Sequence, residues 1–130
     1  MKRMLSLLYT SALLFLTVCL LSMLLSWKLT GKMSIFGIQP LFIATDSMEP
    51  VIPAKSFVLT RPIDAEDVKV GDIVAYRYQS ATGKIPVRIV HRVIRINDDQ
   101  TYILKGDHEE EPDDPVRADQ ILYIICSISS

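Results

Sequence analysis

The chain has 130 residues, with 14 Lys and Arg against 15 Asp and Glu, a formal net charge of −1 and 49% hydrophobic residues. That length suits one domain of modest size, and so even a charge balance offers no basic surface for nucleic acid. Of the two cysteines, Cys19 sits in an apolar run and Cys126 near the C-terminus, so no disulfide framework is predicted.

The first element runs from Met4 to Trp27 without a single charged residue. A helix rising about 1.5 Å per residue crosses the roughly 30 Å hydrocarbon layer over such a length. A cleavable leader would have an apolar core of only about 7–15 residues followed by a small-x-small site; here Ser26, Trp27 and Lys28 follow instead. A buried core helix would be shorter or amphipathic. The segment 1–30 is therefore predicted to be a spanning anchor, and 31–130 the domain that it carries. Lys2 and Arg3 favour an inside N-terminus, while Lys28 and Lys32 flank the other end.

Leu29 to Gln39 reads as a connector containing Gly31 and Gly37, and Ile35 to Ile43 is apolar enough to lie at a membrane surface or to enter a sheet. A loop over Thr45-Asp46-Ser47-Met48-Glu49-Pro50 follows, bounded by Pro50 and Pro53. Beyond it the pattern is β. Strands are predicted over Ser56–Thr60, Asp72–Tyr78 after the Val70-Gly71 turn, Val87–Ile96, Thr101–Lys105 and Gln120–Ile128. The Asn97-Asp98-Asp99 turn predicts a hairpin, and Gly106 to Asp119 is an acidic, proline-punctuated loop. The expected fold is mostly β, behind one N-terminal helix.

Three places could carry chemistry. Ser47 sits in a tight loop, where a serine is ordinarily a turn or surface residue. His91 shares a strand face with Ile89 and Val93; it is either a core histidine with satisfied ring nitrogens or a general base, since neutral imidazole accepts a serine proton near neutral pH. Asp107, Asp113 and Asp114 belong to the acidic loop, which reads as a solvated loop, as a calcium site, or as the source of an acid that orients His91. Its spacing matches no EF-hand, and neither metal nor other cofactor is expected.

Four boxes in order now resemble a known family, the type I signal peptidases. Ser47-Met48-Glu49-Pro50 resembles the box that holds the nucleophile. Val70-Gly71-Asp72-Ile73-Val74 resembles the turn and strand that follow it. The segment from Ile85-Pro86-Val87 through His91-Arg92-Val93 is similar to the one in which most bacterial members carry a lysine, and Lys105-Gly106-Asp107-His108, with Asp113-Asp114 after it, is similar to the Lys-Gly-Asp-Asn box. Histidine at position 91 points to the endoplasmic-reticulum-type branch, which includes the SipW-like bacterial enzymes. The resemblance implies a β catalytic domain of signal-peptidase type. Ser47 would be the nucleophile, His91 the base, Asp114 (or Asp113, one residue earlier) the orienting acid and Asp107 a supporting group. Thr45 and the Ser47 backbone N–H would form the oxyanion hole, and Met48 would flank the substrate pocket. His108 stands where the family commonly has asparagine. Family members usually continue past the last strand, whereas this chain ends at Ser127-Ile128-Ser129-Ser130, so a shortened C-terminus is expected.

The physics of the base agrees with the acidic loop. A lysine acts near neutrality only when burial lowers its pKa by several units, whereas a histidine needs an acid to hold its tautomer and stabilise the imidazolium. The implied partners are secretory preproteins and the lipid bilayer, with no nucleic acid. The implied place is a plasma membrane, bacterial in preference to endoplasmic-reticular, with the N-terminus cytoplasmic and the domain outside. Two other classes stay open beside this reading: a catalytically degenerate, membrane-tethered binding module and an extracytoplasmic metal-binding domain. A self-cleaving repressor-type protease is disfavoured, because a membrane span stands where its DNA-binding domain would be.

Overall fold

The structure is a computed structural model that describes residues 2–30, 34–79 and 86–128. Gly31, Lys32, Ile85 and the terminal Ser129-Ser130, all used above, lie outside the described residues. The chain forms two compact units, 1–39 and 40–130.

The first unit is built on α1, Lys2–Thr30. Its span Lys2–Leu29 is long and apolar enough to cross a membrane, which is compatible with a single-pass anchor. Thr10, Ser11 and Thr17 inside it do not break the apolar cylinder, because they turn their hydroxyls onto the helix backbone. Thr10 Oγ1 donates to the carbonyls of Ser6 and Leu7, Ser11 Oγ to Leu8, and Thr17 Oγ1 to Leu14, at 2.7–3.1 Å. In hydrocarbon each of these groups would otherwise go unsatisfied. After the helix, Ile35 and Ile38 exchange backbone hydrogen bonds around a turn whose centre, Phe36-Gly37, has positive φ at both residues. The Phe36 N–H donates to Ser22 Oγ and the Ser34 hydroxyl meets that of Ser26, so this turn folds back on the helix.

Among the described residues, the second unit carries a six-stranded sheet. In chain order the strands are β1 Gln39–Ile43, β2 Ser56–Pro62, β3 Ile73–Tyr78, β4 Val87–Ile96, β5 Tyr102–Lys105 and β6 Ile121–Ile128. Their spatial order is β1-β2-β6-β3-β4-β5, and the ladders from β2 to β5 are antiparallel. The predicted strands are all present, with ends displaced by at most two residues and Val87–Ile96 matched at both. The apolar stretch before Ser47 resolves into β1, at a sheet edge.

Alternation along the strands places a core on each face. Ala75 and Val90 join Ile43, Met48, Ile52, Val58, Leu122 and Tyr123 in one. Val74, Tyr76 and Val93 join Val68, Tyr102, Leu104, Val116 and Ile121 in the other. A β-bulge between Ala75 and Tyr76 pairs them with Tyr123 and Ile121 respectively, so an extra residue, Leu122, is absorbed, and β6 sends Leu122 and Tyr123 into one core and Ile121 into the other. Gly71 has φ of 98°, a conformation that glycine adopts at little cost, and its N–H and the Asp72 carbonyl pair with Val93 to open the β3–β4 ladder.

Candidate functional site

Register decides what surrounds His91. On β4 it stands opposite Val74 of β3, and the ladder to β5 begins one residue later, at Arg92 opposite Lys105. Residues 87–91 of β4 are thus hydrogen-bonded to β3 alone, and the chain leaving β5 at Gly106 is free to turn over His91. The imidazole is buried, 4% exposed, facing the core that holds Tyr76; the two rings lie 6.4 Å apart.

His91 Nδ1 lies 2.6 Å from Asp113 Oδ2. An ionised carboxylate only accepts, so in the neutral ring Nδ1 carries the proton and Nε2 keeps its lone pair. Of the two aspartates named for this position, Asp114 first and Asp113 second, it is Asp113 that meets the ring. The Asp113 N–H donates to the Leu104 carbonyl, and Tyr102 exchanges backbone hydrogen bonds with Val116. The acidic loop is thereby stapled along β5, and consecutive side chains on an extended segment point opposite ways. Asp113 turns inward and Asp114 is exposed. Tyr76 sits against the same carboxylate: burial first, and then the charge of Asp113 and a hydrogen bond to it, push the phenol well above its ordinary value. It therefore stays protonated.

The loop after β1 places Ser47. Its neighbours Met48 and Ile52 are fully buried plugs in the first core, and the Ile52 N–H donates to the Met48 carbonyl. Met48 therefore departs from its expected place. Its side chain anchors the loop from beneath and does not line the groove beside Ser47, because an apolar side chain gains more by entering the core than by facing an open cleft. The Glu49–Pro50 peptide is cis. From the other side, the His108 N–H donates to the Ser47 carbonyl at 2.9 Å. A Cβ on Gly106 would stand 2.6 Å from that same oxygen, so only glycine allows the approach. Ser47 Oγ lies 3.3 Å from Thr45 Oγ1. Among the described residues Ser47 makes no hydrogen bond with His91.

Asp107 acts one step back. Its carboxylate takes a bidentate pair from Arg92, Nε at 2.8 Å and Nη2 at 2.7 Å, while Arg92 Nη1 donates to the Gly71 carbonyl at 3.0 Å. One guanidinium thus ties the turn before β3, strand β4 and the loop after β5 together. The hydrogen bond from Arg92 holds the Asp107 carboxyl below the usual carboxylate range. Glu109 completes the surroundings, with Oε2 3.7 Å from His91 Nε2, too far for a hydrogen bond.

Beside Ser47 a groove of about 210 Å³ runs between β1 with its following residues and the first half of β4, lined by Leu41 to Thr45, Ser47 and Val87 to Val90. Both walls offer strand edges. The sequence reading had missed Arg92, Tyr76 and Glu109. Arg92 and Tyr76 could have been suspected from polar groups falling on apolar strands, but no local signal marks Glu109. No protein family, curated protein or solved structure matches the chain in sequence or fold comparison.

Proposed function

We propose that this chain is a membrane-anchored serine endopeptidase of the signal peptidase I type. It removes N-terminal signal peptides from secretory preproteins, with Ser47 as nucleophile and His91 as general base. The observation that carries this reading is the buried His91, its Nδ1 held by Asp113 at 2.6 Å, next to a turn whose backbone grips Ser47. A merely satisfied core histidine does not need a loop serine clamped by the adjoining turn.

In the reaction, a preprotein lies extended in the groove and adds backbone hydrogen bonds to the free strand edges. Ser47 Oγ attacks the carbonyl carbon before the cut, and its proton passes to His91 Nε2. Asp113 holds the tautomer and stabilises the imidazolium. The oxyanion is met by the Ser47 N–H and the Thr45 hydroxyl, each such donor typically contributing about 10²–10³ in rate. Collapse breaks the C–N bond, the amine leaves with the proton from His91, and water hydrolyses the acyl-enzyme. The apolar helix serves to bring the site to the membrane surface where signal peptides end, which requires the sheet domain to be outside and the N-terminus inside.

The Ser47–Thr45 contact favours, as the second reading, a non-catalytic tethered module in which Ser47 is a loop residue. Catalytic hydrogen bonds often form only with substrate bound, which keeps the enzyme reading first. Cleavage of a model preprotein in liposomes separates the two. The parent should cut at the signal-peptide junction and the Ser47→Ala variant should not. If neither cuts while both are folded, the module reading replaces the enzyme.

A further inference from the structure

From the geometry around His91 Nε2 we infer a binding site for a divalent transition-metal ion of the zinc class, with His91 and Glu109 as its protein ligands. Three observations carry it. The Nε2 lone pair is free, because Nδ1 is committed to Asp113 at 2.6 Å. The other partner of that face is a carboxylate oxygen, Glu109 Oε2, at 3.7 Å. Two metal bonds of about 2.0–2.1 Å meeting at the tetrahedral angle span about 3.3 Å, so the pair needs to close by only a few tenths of an ångström, or the angle to open slightly. Finally, a carboxylate on the far ring nitrogen is the arrangement that orients metal-ligating histidines and raises their basicity.

Glu109 is aimed there by the backbone. Its N–H donates to the Gly106 carbonyl, and its side chain lies across Gly106, with Cγ and Cδ each 3.0 Å from where a Cβ would be. The missing side chain at 106 is the space that Glu109 occupies. Its carboxylate is 42% exposed while His91 is 4% exposed, so an ion enters from the solvent side of Glu109 and waters fill the remaining positions. Asp113 belongs to the same cluster of ligand atoms, all within 4.8 Å of one another, but acts from behind the ring.

Bound metal takes the lone pair that would accept the Ser47 proton. Its consequence, reversible inhibition, rests on the peptidase reading; the binding itself does not.

The test is titration of the full chain in detergent with Zn²⁺ by calorimetry, and with Co²⁺ by visible absorption, in a Cys126→Ser background that removes the exposed thiol. One site per chain is expected, with a Co²⁺ spectrum of low coordination number. Asp113→Asn should weaken binding about 10–100-fold, and Glu109→Gln, at a side chain 42% exposed, by at least ten-fold with the fold checked by circular dichroism. Equal Zn²⁺ affinity in the parent and Glu109→Gln would overturn the site, as would the absence of any saturable binding. Absence of preprotein cleavage by the metal-free parent, with Zn²⁺ binding intact, would instead count against the peptidase reading alone.

Discussion

Asp113 reaches His91 and its neighbour Asp114 does not. The contact, 2.6 Å from Oδ2 to Nδ1, depends on the backbone bond from Asp113 to Leu104, which sets the alternation of the acidic loop. Asp113→Asn keeps the shape but offers its amide or the wrong acceptor to the ring. It should lower kcat on a preprotein by about 10³–10⁴-fold, while Asp114→Asn should change it by less than about three-fold. Single-turnover cleavage by the two variants side by side checks this.

Tyr76 supports Asp113 from the buried side. Because burial and the Asp113 charge raise its phenol, it remains a donor throughout the working pH range and contributes no alkaline limb to the pH–rate profile. Tyr76→Phe preserves the packing and removes the hydroxyl. A fall in kcat of about ten-fold with KM unchanged is expected, in line with one hydrogen bond to a charged group.

Gly106 is required for space and not for a left-handed backbone. A Cβ at 2.6 Å from the Ser47 carbonyl oxygen must push backbone, since that oxygen belongs to a loop pinned by Met48 and Ile52. Gly106→Ala should cost about 10²-fold in cleavage, the scale of a 1 Å misplacement, with the chain still folded by circular dichroism.

The Arg92–Asp107 pair predicts an acid limit to stability. Asp107 is held below its unfolded value, so its contribution is present above about pH 4 and is lost as pH falls through the folded value. Asp107→Asn should lower unfolding free energy at pH 7 by about 1–2 kcal/mol, discounted because Arg92 is 31% exposed. It should also flatten the acid side of the stability–pH curve. Urea unfolding from pH 7 to pH 3 measures both.

Gln100 closes the β4–β5 hairpin with φ of 61°, left-handed and costly for a residue with a Cβ. Gln100→Gly should raise stability by about 1 kcal/mol, less the entropy that glycine adds to the unfolded chain, and so raise Tm by a few degrees in a thermal scan.

Much of the architecture was already legible in the residue pattern. An uncharged run from Met4 to Trp27 permits little but an apolar helix, and alternation from Val87 to Ile96 is a local property of the strand. The positive φ at Gly71 follows from a turn that sequence marks directly. Local chemistry also singled out Ser47, His91 and the acidic loop as candidates.

What those residues touch was decided elsewhere. Which aspartate meets His91 depends on how the loop is stapled to β5, and one residue of slip reverses every side chain. The resemblance implied that Met48 flanks the substrate pocket, yet the core beneath the loop takes it. Arg92 and Asp107 are fifteen positions apart, and Glu109 reaches the histidine only because Gly106 leaves room. Sequence by itself determined the elements, because they follow from near-neighbour periodicity and burial. The tertiary structure alone decided the partnerships at His91, because register, turn geometry and free volume are properties of chain segments brought together in space.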